Sequence, residues 1–299
     1  MNCIIVGGGG FVGRHLGNHL VAQGHRVRGI DAGLVHHEVE TRFPVDVADV
    51  IVDAPVVEPE TEAVFYLAQS PHYRAFPRHG AHLFGVNVIG ALRWAEAAID
   101  AGVKAFIYAS TGSIYAPGFE PMSEDRPVRR DHAYALSKIS AEEALAILPG
   151  PMAVIRARLF GAFGPGQATM LVPGVTGRVQ RGEPVTVERN PLDQSDHGGL
   201  RISLTYVDDV ARCLAGLAAR ALDGRDVPRV INVAADEPVS VRRLATGIGA
   251  VLGVDPVIEA ADRARESDYI ADVGRLRALL APTFTPLDVA LRLTLASHA

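Results

Sequence analysis

Lysine is nearly missing from this 299-residue chain: Lys104 and Lys138 are the only two, and arginine carries the rest of the basic charge. Cysteine is as scarce. Cys3 and Cys213 lie in apolar segments far apart, so buried free thiols are expected in place of a disulfide, as suits a reducing cytoplasm. No segment reaches the roughly 18 apolar residues of a membrane span, and no charged stretch precedes Cys3-Ile4-Ile5-Val6. A soluble, unexported, cytoplasmic protein is the expectation. There is no basic run and the formal net charge is -5, which argues against nucleic acid or an anionic membrane as partner. A small molecule remains. With 48% hydrophobic residues the chain can build one large domain or two interlocked ones without covalent staples.

In so lysine-poor a sequence, the position of Lys138 four residues after Tyr134 is informative. One helical turn separates them, so both side chains leave the same face. An ammonium beside a phenol would favour the phenolate and let Tyr134 take a proton from an alcohol near neutral pH.

The amino-terminal segment gives the second signal. Asn2 to Val6 is short, apolar and β-branched, as a buried parallel strand should be, and runs straight into Gly7-Gly8-Gly9-Gly10-Phe11-Val12-Gly13. Val12, Leu16 and Leu20 then repeat at helical spacing, Gly24 supplies a stop, and Arg26 to Ile30 reads as a second strand ending at Asp31. Glycines spaced as Gly7-x-x-Gly10-x-x-Gly13, or Gly8-x-Gly10-x-x-Gly13, allow a pyrophosphate close to backbone amides at a helix amino end. Asp31, a carboxylate about 20 residues on, suits a ribose 2′-hydroxyl and repels a 2′-phosphate, so NAD is preferred over NADP.

The alternation continues with a strand at Ala63 to Leu67, a helix at Val86 to Ala98 and a strand at Ala105 to Ala109. The fold expected is α/β, a Rossmann-type doubly wound, mostly parallel sheet, with a smaller carboxy-terminal α/β substrate-binding domain. Ligands in such sheets bind beyond the strands' carboxyl ends, here Leu67-Ala68-Gln69-Ser70 and Ser110-Thr111-Gly112-Ser113. Residues 116–131 read as surface coil delivering the chain to the helix of Tyr134. Further on, a helix is expected at Leu171 to Gln180, strands at Pro184 to Glu188 and Ile202 to Val207, a helix at Val210 to Leu222 and a closing helix at Pro282 to Leu295.

These motifs together resemble the NAD-dependent epimerase/dehydratase branch of the extended short-chain dehydrogenases/reductases. The resemblance runs through Gly7-x-x-Gly10-x-x-Gly13, Asp31, Asp46-Val47, Asn87-Val88-x-Gly90, Ala109-Ser110-Thr111-x-x-Ile114-Tyr115, Tyr134-x-x-x-Lys138, Phe163-Gly164-Pro165-Gly166 and Tyr206-Val207-Asp208-Asp209. It implies that Tyr134 is the general acid/base, that Lys138 holds the nicotinamide ribose and depresses the tyrosine, and that Thr111 bonds the substrate hydroxyl. It further assigns Gly7, Gly10, Phe11, Val12, Gly13, Asp31, Asp46, Val47, Leu67, Ala68, Gln69, Ser110 and Phe160 to the cofactor. To a nucleotide-sugar substrate it assigns Gly112, Ser113, Gly161 and Arg201. A homodimer through the Val86 and Tyr134 helices is implied as well. The NAD-binding domain is expected at 1–165 with 202–228 returning to it, and the substrate domain mainly at 166–201 and 229–299.

Other polar residues are read more plainly. Tyr115 packs or lines the pocket, Arg178 and Arg265 are solvated helix charges, and Asp208 and Asp209 cap the helix that follows them instead of holding a metal. His36, His37, His72, His79 and His82 lack ligand spacing and are read as surface residues, His72 also as a candidate pocket lining.

Gly112-Ser113 narrows the chemistry. Family dehydratases resemble Thr-Asp-Glu at this place and sugar decarboxylases carry a glutamate at the second position, whereas this chain supplies no acid. Epimerisation at C4 of a nucleotide sugar is therefore the leading expectation. The alternatives are an NAD(P)-dependent reductase or dehydrogenase of a keto sugar or other secondary alcohol, and a non-catalytic NAD-sensing protein. Gly161, where the family commonly has asparagine, leaves the grip on the substrate diphosphate open.

Overall fold

The computed structural model describes residues 1–33 and 39–296; His36 and His37 lie outside them. The first strand, β1 (Asn2–Val6), turns through the glycines into α1 (Phe11–Ala22), and β2 (Arg26–Asp31), β3 (Val45–Val47) and β4 (Ala63–Tyr66) follow. A helical run then comprises α2 (Gly80–Phe84), a π-helical segment (Gly85–Gly90) and α3 (Ala91–Asp100). Next come β5 (Ala105–Thr111), α4 (Ala133–Ala146), β6 (Ala153–Leu159) and the two-residue β7 (Ala162–Phe163). The remainder is α5 (Leu171–Gln180), β8 (Val185–Arg189), β9 (Arg201–Ile202), β10 (Thr205–Tyr206), α6 (Val207–Leu222) and β11 (Val230–Val233). It ends with β12 (Val239–Ser240), α7 (Val241–Leu252), β13 (Ile258–Ala264), α8 (Gly274–Leu280) and α9 (Leu287–Ala296).

Seven strands form one sheet in the order β11-β6-β5-β4-β1-β2-β3, every neighbouring pair parallel. Alternation along β1 sends Cys3 and Ile5 into one core with Leu16 and Leu20 of α1 and Val210 and Leu214 of α6. Ile4 and Val6 enter the other, with Trp94 and Ala95 of α3 and Leu145 of α4. Both cysteines are buried and free. The expected doubly wound sheet is thus present, helices covering both faces. The smaller unit has its own core, in which Val175 and Val179 of α5, Val185 and Val187 of β8, Leu244 and Ile248 of α7 and Leu291 of α9 meet.

Several local expectations change. The Val86 helix starts earlier, at Gly80, and carries the π segment, whose carbonyls at Val86 and Asn87 accept the buried hydroxyls of Tyr66 (2.6 Å) and Tyr108 (3.0 Å). Those bonds give the loosened ladder partners it would otherwise lack. Residues 116–131 are not wholly surface coil, since Met122 and Glu124 are buried and Met122 bridges to Ala271. The closing helix starts later than Pro282, at Leu287 just after Pro286, and a separate short helix, α8, precedes it. β11, which holds Asn232 and Val233, is an edge strand of the main sheet.

Candidate active site

The cofactor end is built by the turn after β1. At Gly13 a Cβ would collide with the carbonyl oxygen of Gly7, and at Gly7, whose φ is +88°, it would lie 2.7 Å from the Ala68 nitrogen. Only glycine lets α1 start this close to β1 and β4. Gly10 caps α1 without any side-chain hydrogen bond, and no acid occupies the helix's first turn, so its positive end is open to an anion. Asp31, at the end of β2, accepts the Gly9 amide at 2.9 Å and so faces the same turn. Asp46 is held by Arg28 (2.6 Å), an ion pair that nothing in the local sequence announced, and Val47 is exposed.

A cleft of about 740 Å³ runs from this turn past the carboxyl ends of β4, β5 and β6. Phe11, Val12, Leu67, Gln69, Ser110, Thr111, Ser113, Tyr134, Lys138 and Gly161 all line it. Among the described lining residues there is no aspartate or glutamate. Ser110 is 4% exposed, and its Oγ has no hydrogen-bond partner. A buried hydroxyl left open toward a cleft is a group that awaits a ligand. An open helix end, glycines that admit a pyrophosphate, Asp31 and Ser110 fit a dinucleotide.

Phe160 and Gly112 are placed otherwise than expected. The Phe160 ring is fully buried under the cleft, between the rings of Tyr115 and Tyr269, and a Cβ on Gly112 would strike it. Neither is a lining side chain. Tyr115 packs, its hydroxyl donating to Asn232 (2.7 Å) and accepting from Arg158 (2.8 Å).

Thr111, Tyr134 and Lys138 do converge, but not as the spacing alone implied. Lys138 Nζ donates to the Ala109 carbonyl at 2.8 Å and lies 4.9 Å from the Tyr108 ring centroid. Its long chain runs back along α4 to β5 instead of out to the phenol. Burial pushes its pKa down to about 7, with Glu142 one turn further on opposing the fall. Tyr134 is raised above the ordinary phenol range, chiefly by burial and then by Tyr269 and Tyr73, while a hydrogen bond with Thr111 pulls the other way. The Thr111 hydroxyl also accepts the Ser113 amide at 3.1 Å.

Three supporting groups went unassigned in the sequence. Tyr269, just beyond β13, brings a second phenol into the cleft, with Oη 3.4 Å from Ser113 Oγ and its ring 4.8 Å from Phe160. Its distance along the chain hid it. Asn87, fully buried, donates to Ser137 Oγ (2.9 Å), which donates to the Tyr134 carbonyl (2.8 Å) and so fixes the first turn of α4. Its place in the Asn-Val-x-Gly motif was the available signal. Arg158 on β6 pairs with Glu142 of α4 at 2.6 Å, both buried, which pins the catalytic helix to the sheet.

The expected phosphate ligand is otherwise engaged. Arg201 gives its Nε and backbone amide to Asp268 (2.8 and 2.9 Å), and Arg265 gives Nε to the same carboxylate (2.8 Å) and Nη2 to Asp196 (2.6 Å). Arg265 is 3% exposed, not a solvated charge, and neither arginine lines the cleft. Arg178 donates to the Pro184 carbonyl. His72 stacks on His79 (4.1 Å between centroids) and leaves the lining to Tyr73 and Arg74. Asp208 and Asp209 do not cap α6 through their side chains: Asp208 binds His15 (2.6 Å), and Asp209 accepts from Thr285 and Arg212.

Fold and glycine turn together define an enzyme that binds a dinucleotide. The chain belongs to the NAD dependent epimerase/dehydratase family, whose model matches residues 3–234. It is 27% identical to a UDP-N-acetyl-alpha-D-glucosaminuronate decarboxylase of Bacillus cytotoxicus over 82% of this chain and 78% of that one. To a UDP-glucose 4-epimerase of Mycolicibacterium smegmatis it is 35% identical, over about half of each chain (48% and 49%). Among solved structures, MoeE5 in complex with UDP-glucose and NAD superposes with a TM-score of 0.80 at 26% identity, over 100% of this chain and 98% of that one. No helix among the described residues is long and apolar enough to cross a membrane.

Proposed function

We propose that this protein epimerises a nucleotide sugar at C4 through a transient 4-keto intermediate. One observation carries the reading: Thr111, Tyr134 and Lys138 share a cleft that has serine at position 113 and no carboxylate among its described lining residues. Elimination across two carbons needs a further proton donor and acceptor, and this cleft offers hydroxyls instead. The decarboxylase relative is similar over much of the chain, yet the glutamate expected of that chemistry is Ser113 here.

NAD, when bound, supplies a reversible hydride acceptor and, in its oxidised form, a positive ring charge. Gly7, Gly10 and Gly13 with the amino end of α1 would hold its pyrophosphate, Asp31 a ribose hydroxyl, and Ser110 and Lys138 the neighbouring part. Thr111 orients the C4 hydroxyl. Tyr134 receives that proton on oxidation and returns it on reduction; burial disfavours the phenolate this requires, and the positive ring of the oxidised cofactor would favour it. Rotation of the keto sugar in a wide cleft presents its other face.

The test is a panel of UDP-, GDP-, dTDP- and CDP-sugars, with sugar products and NADH followed together. One substrate should convert with no net NADH, and Tyr134→Phe should slow that conversion by a factor of about 100 to 10,000. Stoichiometric NADH formation or consumption would instead establish a reductase or dehydrogenase. We place the protein in the cytoplasm as a homodimer joined along the π segment with α3 and along α4, with Ile89 in that segment and Ile147 just beyond α4 exposed. Sedimentation equilibrium returning a monomer at micromolar concentration would refute the dimer.

A further inference from the structure

Among the described residues four buried side-chain atoms have no hydrogen-bond partner: Ser110 Oγ, Gln167 Oε1, Thr176 Oγ1 and Arg265 Nη1. Of these residues, Ser110 and Gln167 line the cleft. Their openings differ in kind. A serine hydroxyl donates or accepts as a ligand requires, whereas Gln167 Oε1 only accepts, so the group that completes it must carry an N–H or O–H.

The orientation of this amide is fixed by a backbone carbonyl. Gln167 Nε2 donates to the Ala162 oxygen at 2.8 Å. That oxygen cannot donate, so a reversed amide would set oxygen against oxygen, and Oε1 is held on the side away from Ala162.

The segment that carries Gln167 belongs to the cofactor's side of the cleft. Its backbone amide closes the turn Gly164-Pro165-Gly166-Gln167 on the Gly164 carbonyl (3.3 Å), and the Pro165 carbonyl accepts from Nε2 of His15 (3.1 Å). His15 stands on α1, one turn after Phe11, whose ring meets it edge-on at 5.6 Å between centroids. Its other nitrogen binds Asp208 of α6. The turn is thereby tied to the helix whose amino end is open to a pyrophosphate, and Phe11 and Val12 of that helix line the cleft with Gln167. In the nicotinamide half of the dinucleotide the donors are the ribose hydroxyls, for which Ser110 and Lys138 stand ready, and the carboxamide N–H.

We propose that Gln167 Oε1 accepts the carboxamide N–H of the nicotinamide and so sets which face of the ring meets the substrate. Turning the ring over about its glycosidic bond carries the carboxamide to the opposite side. A grip on that group therefore selects one face, across which hydride leaves and returns. The assignment serves any alcohol oxidised in the cleft, and it rests on the placement of the nicotinamide end at Ser110 and Lys138 given above.

The test is calorimetric titration of the full-length protein, freed of bound cofactor, with NAD, with its 3-acetylpyridine analogue and with ADP-ribose. The analogue has a methyl ketone in place of the carboxamide and so no N–H, and ADP-ribose has no nicotinamide. Wild type should bind NAD about three- to thirtyfold tighter than the analogue. Gln167→Met should abolish that preference. The Ala162 carbonyl also loses its donor in this variant, but any general loosening falls on all three ligands, whereas the missing acceptor is felt by NAD alone. Equal affinity of wild type for NAD and the analogue, or an undiminished preference in Gln167→Met, would overturn the assignment. So would a loss confined to nucleotide-sugar binding with NAD unaffected, which would give Gln167 to a sugar hydroxyl. Lys138→Met tests the placement separately: it should weaken all three ligands, and full affinity there would remove the ribose from Lys138 and the carboxamide from Gln167 with it.

Discussion

The sheet that carries the cofactor end and the smaller unit around β8, α5 and α7 leave different polar groups open. At the carboxyl ends of β1 and β5 these are the amino end of α1, which has no side-chain cap, and the Ser110 hydroxyl. In the smaller unit Arg201, Arg265, Asp268 and Asp196 close on one another, while the Thr176 hydroxyl and Arg265 Nη1 are buried without a partner. Buried polar atoms are costly when left without partners, so openness marks where a ligand completes the set. Saturation marks a strut. By this criterion Ser110, at the carboxyl end of β5, is a group that a ligand completes.

The largest test of the contrast is inside the sheet, where one strut lies beneath the open cleft. Arg158→Met strands Glu142 as a buried, uncompensated charge and should cost about 3–5 kcal/mol, read by denaturant unfolding. Converting both residues to apolar ones of similar size should recover much of that loss. A cost below about 1 kcal/mol for the single change would mean that water reaches Glu142.

A smaller effect should follow from restoring the family's asparagine. A Cβ at Gly161 meets the Ser203 carbonyl oxygen, so Gly161→Asn should destabilise the protein by about 1–3 kcal/mol, visible as a lower melting temperature, without tightening nucleotide binding. Unchanged stability with tighter binding would show that this wall can yield.

A third effect concerns Lys138. Its folded pKa, about 7, lies below its unfolded one, so the unfolded chain binds more protons between those values and stability rises with pH across that window. The penalty is fully present below pH 7. Lys138→Met should therefore raise the melting temperature at pH 6 and gain less at pH 9, while abolishing turnover. A gain that does not shrink with pH would show that Lys138 is not the titrating group.

How much of this was legible depends on the range of the interaction. The glycine turn, Asp31 and the parallel sheet are local patterns, and the chain displays them within about 30 residues. Tyr134 and Lys138 were visible as a pair, but their orientation was not, because the Ala109 carbonyl that takes the ammonium belongs to another strand. The commitment of Arg201 depends on Asp268, and Tyr269 reaches the cleft only when the segment beyond β13 folds back over Phe160. Contacts of that length leave no period or spacing in the sequence.

The π segment at Gly85–Gly90 has a consequence for everything after it in the chain. An α-helix advances about 100° per residue, so a turn wound with one extra residue resets the phase of the helix that follows. Before the segment Leu83 points into the protein, and beyond it Trp94, Ala95 and Ala98 form the buried stripe. Asn87 sits at the widened turn, where its amide reaches Ser137 of α4.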